Sequence, residues 1–71
     1  MNSSKFTDFG LATKIELLRR GRDQKWLVAE VSERTGLYMD NSYMNKVLTG
    51  QRNPPKIIAA ISEILGIEVM A

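Results

Sequence analysis

Residues 42–54 read SYMNKVLTGQRNP, and they contain the most informative fold signal of the chain. Met44, Val47 and Leu48 are spaced so that they share one side of a helix, which advances by about 100° per residue. Gly50 follows them, and glycine readily adopts the left-handed conformation that commonly ends a helix. The stretch therefore predicts a short helix that buries one face and ends close to Gly50.

The opposite side of this helix carries short polar groups and one cation, with no carboxylate. Solvated helix faces usually mix Glu with Lys, which favours solubility and pairing between successive turns. Amide, hydroxyl and ammonium groups also suit base edges and phosphates, since Asn can pair with adenine and Lys with guanine. From this helix alone, an ordinary polar surface and a DNA-reading surface are both open. Its outward residues are Asn41, Ser42, Asn45, Lys46 and Thr49.

Similar signals divide the rest of the chain into helical segments. A glycine follows each stretch with helical apolar spacing, at positions 21, 36, 50 and 66. No stretch shows the alternation of a half-buried strand, so the pattern indicates an all-α fold. We expect helices near residues 8–20, 23–35, 41–49 and 54–65. The expected N-terminal caps, whose side chains accept hydrogen bonds from the first turn, are Asp8 or Thr7, Asp23, Asp40 and Asn53.

The apolar residues of the other three segments complete the expected core. Each set follows helical spacing, so its members should share the buried face of one helix. We expect this core to contain Leu11, Ile15 and Leu18 from the first helix, Leu27 and Val31 from the second, and Ile57, Ile58, Ile61, Ile64 and Leu65 from the fourth.

The composition allows one small domain and argues against several functions. With 71 residues, we expect a single domain over 1–71, with an ordered core near 8–67 and loose ends at 1–6 and 68–71. Cysteine and histidine are absent, which excludes a disulfide framework, a thiolate zinc site and the commonest general base. The carboxylates show no spacing typical of acid–base pairs or metal sites. We therefore expect a protein that is not an enzyme and needs no metal, cofactor or small-molecule ligand.

The apolar runs are short, and the N-terminus does not resemble a secretory signal. The longest run of aliphatic residues is 57–61, far below the ~20 residues that span a bilayer. Residues 1–5, MNSSK, have no apolar stretch behind them. These features predict a cytoplasmic binding module that does not contact a membrane.

Positive charge is concentrated in two places, although the net charge is only +2. Residues 41–62 contain no Asp or Glu, yet Lys46, Arg52 and Lys56 fall there. One basic cluster is most often a solvated surface, and two clusters form a binding surface only if folding brings them together. The second cluster consists of Arg19, Arg20, Arg22 and Lys25.

Residues 14–67 resemble the phage-repressor-like helix-turn-helix family, also called Cro/repressor-type or XRE-like. The most specific segment is 42–54, which resembles the recognition helix of the family followed by its turn of glycine, a basic residue and proline. Residues 24–27, QKWL, resemble the start of the family's second helix. Residues 57–67 resemble its fourth helix, which ends in an aliphatic string around a glycine.

The resemblance implies a compact four- or five-helix bundle containing a helix-turn-helix, that is, a lambda-repressor-like DNA-binding domain. It implies sequence-specific binding of double-stranded DNA by a transcriptional regulator, a repressor of a phage or mobile element. A homodimer on a pseudo-palindromic site is the usual route to specificity, and its expected surface is the exposed part of the fourth helix with residues 67–71. By position, the base contacts would be Asn41, Ser42, Asn45 and Lys46. The phosphate contacts would be Gln24, Thr49, Gln51, Arg52, Asn53 and Lys56.

The chain departs from the family pattern before the third helix. The second helix, or the connection that follows Gly36, is longer than in the family by about one turn. We expect Leu37 and Met39 to pack on the core while Tyr38 half-covers them. The extra length affects the register of the base contacts and leaves the prediction of DNA binding in place.

A second function of another class fits the same helical fold. The chain would then be a protein-interaction adaptor that docks a partner protein through the second or third helix. Aromatic residues are the usual anchors of such interfaces, and here they would be Trp26, Tyr38 and Tyr43. Strong salt dependence of DNA binding separates the two hypotheses, because only phosphate neutralisation produces it.

Overall fold

The structure is a computed structural model that describes residues 6–68. Between these residues the chain forms four helices and no strand, which confirms the all-α prediction. The predicted boundaries are correct to within a residue at every helix end. The helices are α1 (Asp8–Arg20), α2 (Gln24–Thr35), α3 (Asn41–Leu48) and α4 (Pro55–Leu65).

Three of the four predicted N-terminal caps are confirmed, with Thr7 and not Asp8 as the cap of α1. Thr7, Asp23 and Asp40 each accept a hydrogen bond from a backbone N–H of the first turn of α1, α2 and α3. The prediction of Asn53 as the cap of α4 is wrong. Pro54 occupies that position and makes no side-chain cap, while the Asn53 amide donates back to the carbonyl of Gly50. Two consecutive prolines leave fewer free N–H groups to cap, so α4 starts without this interaction.

The core lies between the inward faces of α2, α3 and α4, with α1 packed against α3 and α4. Sequence spacing predicted most of it correctly, because the buried residues repeat with the helical period. Ile58 and Ile64 are only half-buried and pack at its edge. The predicted residues that are buried are Leu27, Val31, Met44, Val47, Leu48, Ile57, Ile61 and Leu65.

The predicted buried face of α1 is wrong. Leu11, Ile15 and Leu18 are 38%, 55% and 80% exposed, and the helix buries Gly10, Thr13 and Leu17 instead. Gly10 explains the difference, because a Cβ built on it would lie 2.0 Å from the carbonyl oxygen of Leu48. α1 therefore approaches α3 through its smallest residue, which turns the leucine and isoleucine row to solvent. Burying the polar side chain of Thr13 costs little free energy, because its hydroxyl donates to the carbonyl of Phe9.

The connection at residues 36–40 is only partly packed as predicted. Met39 is buried, but Leu37 is 43% exposed and Tyr38 is 84% exposed, so the prediction fails for both of these residues. The backbone here is held by hydrogen bonds to the end of α2. The Ser32 hydroxyl donates to the carbonyl of Leu37, and the Leu37 N–H donates to a threonine hydroxyl at the end of that helix. The connection is thus fixed without covering its outward side chains.

The ends of the described region pack against the core. Phe6 and Ile67 both contact it, and the Ser62 hydroxyl donates to the carbonyl of Ile67. The expected loose ends otherwise fall largely on residues 1–5 and 69–71, which lie outside the described residues. Of the expected dimer surface, the described part comprises the exposed side of α4, Ile67, which is half-buried, and Glu68, which is exposed. None of the four helices is long and apolar enough to cross a membrane.

Candidate nucleic-acid interface

The outward face of α3 is a continuous polar surface. Its buried side consists of Met44, Val47 and Leu48, all nearly inaccessible, so the orientation of the helix is fixed by the core. No carboxylate occurs on this face or in the following bend, because residues 41–62 contain neither Asp nor Glu. Four predicted base-contact residues are exposed together on this face: Asn41, Ser42, Asn45 and Lys46.

The C-terminal end of α3 is attached to the start of α1. The backbone N–H and the hydroxyl of Thr7 both donate to the carbonyl oxygen of Leu48, at 3.1 and 3.2 Å. The same hydroxyl oxygen accepts from the N–H of Gly10, at 3.0 Å. Thr7 therefore caps α1 and holds the last carbonyl of α3 at the same time. The close contact at Gly10 adds a steric limit to any movement between the two helices.

The N-terminal end of α3 is held by a side-chain network centred on Gln24. The Lys14 ammonium donates to Oε1 of Gln24 at 2.7 Å. Nε2 of Gln24 donates to Oδ1 of Asn41 at 3.3 Å and to Oδ1 of Asn45 at 3.0 Å. One glutamine thus connects α1 and α2 to two residues of the polar face. Both ends of α3 are consequently fixed to other helices, which limits its rotation.

The bend after α3 keeps its backbone ordered and its side chains outward. The N–H groups of Gln51 and Arg52 both donate to the carbonyl of Lys46, at 2.9 and 3.2 Å. Gly50 permits this turn with a φ of 84°, a left-handed conformation that favours glycine. The side chains of Gln51, Arg52 and Asn53 are exposed beside the end of the helix. The bend therefore presents a cation and two amides next to the polar face of α3.

The cations of this region are not neutralised by carboxylates in the described part of the chain. Its three ion pairs lie elsewhere and involve Arg19, Arg20 and Arg34 with Glu16 or Glu63. The Lys46 and Arg52 side chains are exposed, and the Arg52 guanidinium also donates to the carbonyl of Gln51 at 3.1 Å. Unpaired cations next to hydrogen-bonding groups suit a phosphate backbone, which carries one charge per ~1.7 Å of duplex. Across residues 6–68, no group of three or more acidic residues could hold a metal ion.

Two predicted phosphate-contact residues, Gln24 and Thr49, are half-buried and hydrogen-bonded within the protein. Gln24 is half-buried, and both ends of its amide are engaged in the network with Lys14 and the two asparagines. The Thr49 hydroxyl donates to the carbonyl of Asn45 at 2.9 Å, which leaves it only as an acceptor. Lys56 is exposed in the first turn of α4. The other four predicted phosphate contacts are exposed: Gln51, Arg52, Asn53 and Lys56. Three of these side chains also donate within the bend, from Gln51 to the Thr49 hydroxyl at 3.5 Å, from Arg52 to the carbonyl of Gln51 at 3.1 Å and from Asn53 to the carbonyl of Gly50 at 3.4 Å.

Two residues of the second basic cluster, Arg20 and Arg22, make contacts within the protein near the end of α1. The Arg20 guanidinium contacts Glu16 and donates to the carbonyl of Leu65 at 3.2 Å, where it meets the negative end of α4. Arg22 lies over the ring of Trp26, with 5.0 Å between the guanidinium carbon and the ring centroid. Within this cluster, Arg20 therefore links α1 to the end of α4, while Arg22 contacts the start of α2.

Lys14 is the site residue that sequence reasoning missed. It sits on α1 beside an apolar row, and nothing local indicates a partner. Its partner Gln24 is brought to it by the turn at Gly21, whose φ of 67° reverses the chain between α1 and α2. The only available signal was the position of Lys14 near the buried edge of α1, which becomes informative once the correct buried face is known.

Comparisons of this chain with models of known protein families, with curated proteins and with solved structures find no match. The residues and contacts described above therefore carry the functional proposal.

Proposed function

We propose that this chain binds double-stranded DNA in a sequence-specific manner, with α2 and α3 acting as a helix-turn-helix and α3 entering the major groove. The observation that supports this most is the exposed, acid-free face of α3, held at both ends by contacts to α1 and α2. A reading helix must be rigid to discriminate bases, because a misplaced hydrogen-bond donor loses the contact on which specificity depends.

The proposed roles follow from the placement of each side chain. Asn41, Ser42, Asn45 and Lys46 contact base edges, while Arg52 and Lys56 neutralise phosphates on the flanking strand. Gln51 and Asn53 supply neutral hydrogen bonds to the same backbone. The chain would act as a transcriptional regulator, such as a repressor of a phage or mobile element. A homodimer on a pseudo-palindromic site would double the few base pairs that one helix reads.

The test is a fluorescence-anisotropy titration of labelled duplex DNA at several salt concentrations. If only Arg52 and Lys56 neutralise phosphates, the plot of log affinity against log salt should have a slope of about −2, and further contacts would steepen it. Selection of bound duplexes from a random pool then reports the sequence and the symmetry of the site. No binding at low salt, or binding that is indifferent to salt, would refute the proposal.

A protein-interaction adaptor is the second candidate, and one observation favours it. Tyr38 and Leu37 are exposed side by side on the connection before α3, which gives a small apolar surface to a partner protein. The other two expected anchors are less available, since Tyr43 packs against the core and Trp26 is half-covered beneath Arg22. Tyr38→Ala should abolish partner binding under this hypothesis and leave DNA affinity unchanged under the first.

A further inference from the structure

We infer that Lys14 sets the direction of the hydrogen bonds at the polar face, so that Asn41 and Asn45 present N–H donors outward and the face prefers guanine to adenine. The inference rests on the proposed DNA binding and goes beyond it, because it assigns a base preference and a residue that controls it. Lys14 would be a positioning residue that acts through Gln24 without touching the DNA.

The direction of the network begins at Lys14 because an ammonium group is a donor only. A glutamine amide has one end that accepts and one end that donates, and only its oxygen can face Lys14. The 2.7 Å contact between Nζ and Oε1 therefore fixes which end of the Gln24 amide points toward α1. Nε2 is then left facing α3. The opposite orientation would place two donors against each other, beside a positive charge.

The fixed orientation of Gln24 next determines the orientation of both asparagines. Nε2 carries two hydrogens, and the two contacts to Oδ1 of Asn41 and Oδ1 of Asn45 use both of them. Each asparagine therefore turns its carbonyl oxygen inward and its NH2 group outward. Reversing either amide would bring NH2 against NH2 and lose a hydrogen bond. The orientation of all three amides thus depends on the single cation at one end.

Lys14 is well placed for this role because its own position is restricted. The side chain is half-buried, and its ammonium lies 5.3 Å from the centroid of the Phe6 ring, within the range of a cation–π contact. Within the described residues it forms no ion pair with a carboxylate that would compete with Gln24. The charge is therefore directed at the glutamine oxygen.

A face of outward donors matches one purine better than the other. Guanine offers two adjacent acceptors in the major groove, N7 and O6, whereas adenine offers one acceptor, N7, beside the N6 donor. Asparagine normally reads adenine by accepting from N6 with its carbonyl oxygen, but here that oxygen faces Gln24. The outward donors are the NH2 groups of Asn41 and Asn45 and the ammonium of Lys46. Guanine should be favoured about 5- to 140-fold, the range of one bidentate contact.

The first experiment needs no DNA and tests the network itself. In the free, 15N-labelled protein, the Gln24 side-chain NH2 hydrogens should exchange with water more slowly than those of Asn41 and Asn45, which face solvent. Lys14→Met keeps the length and the apolar stem of the side chain but removes its donors, and should abolish this difference. Lys14→Arg should retain it. Equal exchange for the three side chains in the wild-type protein would overturn the inference.

The second experiment measures base preference by competition between duplexes that differ by a guanine-to-adenine change at each position of the selected site. The wild-type protein and Lys14→Arg should show the preference for guanine at one or more positions, and Lys14→Met should reduce it to within about threefold. Lys25→Met is the matched control. It makes the same substitution next to Gln24 in the sequence, but the Lys25 side chain is exposed and makes no hydrogen bond to Gln24 among the contacts described above. It should keep the full preference.

The outcomes separate this inference from the proposed function. Absence of DNA binding by the wild-type protein refutes the proposed function, while the exchange experiment still decides whether Lys14 orders the amides. Salt-dependent binding with adenine favoured at every contacted position refutes the guanine preference alone. A preference for guanine that survives in a folded Lys14→Met protein refutes the role of Lys14. A thermal melting curve of each variant establishes that it is folded.

Discussion

α1 and α3 both carry three apolar residues at helical spacing, but the row on α3 is buried and the row on α1 is exposed. Met44, Val47 and Leu48 form the buried face of α3, whereas Leu11, Ile15 and Leu18 of α1 are exposed. Spacing establishes which residues share a face but not which face another helix covers. In α1 the close contact of Gly10 with the Leu48 carbonyl decides it. The close approach of two backbones at a small residue thus determines which face of α1 is buried, although larger apolar residues lie on another face.

The largest expected effect comes from two adjacent leucines of α1. Leu17 is 3% exposed and Leu18 is 80% exposed, so they form a matched pair on one helix. Leu17→Ala should lower the free energy of unfolding by about 2–5 kcal/mol through lost burial and an unfilled cavity. Leu18→Ala should change it by less than about 0.5 kcal/mol. Urea unfolding of both variants measures the difference, and a larger loss for Leu18→Ala would restore the spacing-based assignment of the buried face.

The second largest effect on stability is expected at Gly10, whose contact with α3 determines which face of α1 is buried. Gly10→Ala would place a Cβ against the Leu48 carbonyl and force the helices apart, which should cost about 1–3 kcal/mol despite the better helix propensity of alanine. Ala29→Gly on the exposed side of α2 is the control and should cost about 0.5–1 kcal/mol from propensity alone. A Gly10→Ala protein more stable than wild type in urea would contradict the close approach.

These two regions also indicate how much of the fold and the site could be predicted from the sequence. The caps Asp23 and Asp40 and the buried face of α3 follow from local rules that act over three or four residues. The burial of Gly10 against α3 and the Lys14–Gln24 hydrogen bond depend on residues that only the tertiary fold brings together. Local patterns therefore predicted the polar face of α3 but not the contacts that hold it in place.

A smaller effect is expected for the cation on the polar face of α3. Lys46→Ala should reduce the preference for one base of the selected site by about 1–3 kcal/mol, because an outward ammonium can donate to guanine. Lys25→Ala removes the same charge from an exposed position of α2 and should leave that preference intact. Competition titrations with single-base variants of the site measure both. An equal loss of affinity for every sequence would show that Lys46 contacts a phosphate and does not read a base.

The smallest effect is expected for the bend that follows α3. Arg52→Ala should weaken binding to all sequences alike and flatten the salt slope by about one unit, since one phosphate contact is lost. Arg34→Ala is the control, because Arg34 pairs with Glu63 on a different part of the molecule, at 3.8 Å. It should leave the slope unchanged. Identical slopes for Arg52→Ala and wild type would assign Arg52 a structural role only.

We propose that the chain contacts DNA through the polar face of α3 and not through the exposed apolar row of α1. A titration of the 15N-labelled protein with a selected duplex, followed by NMR, tests both surfaces in one measurement. If α3 is the binding surface, amide resonances of residues 41–46 and 50–53 should shift while those of Leu11, Ile15 and Leu18 should not. Shifts confined to α1, with residues 41–46 unaffected at saturating duplex, would contradict it.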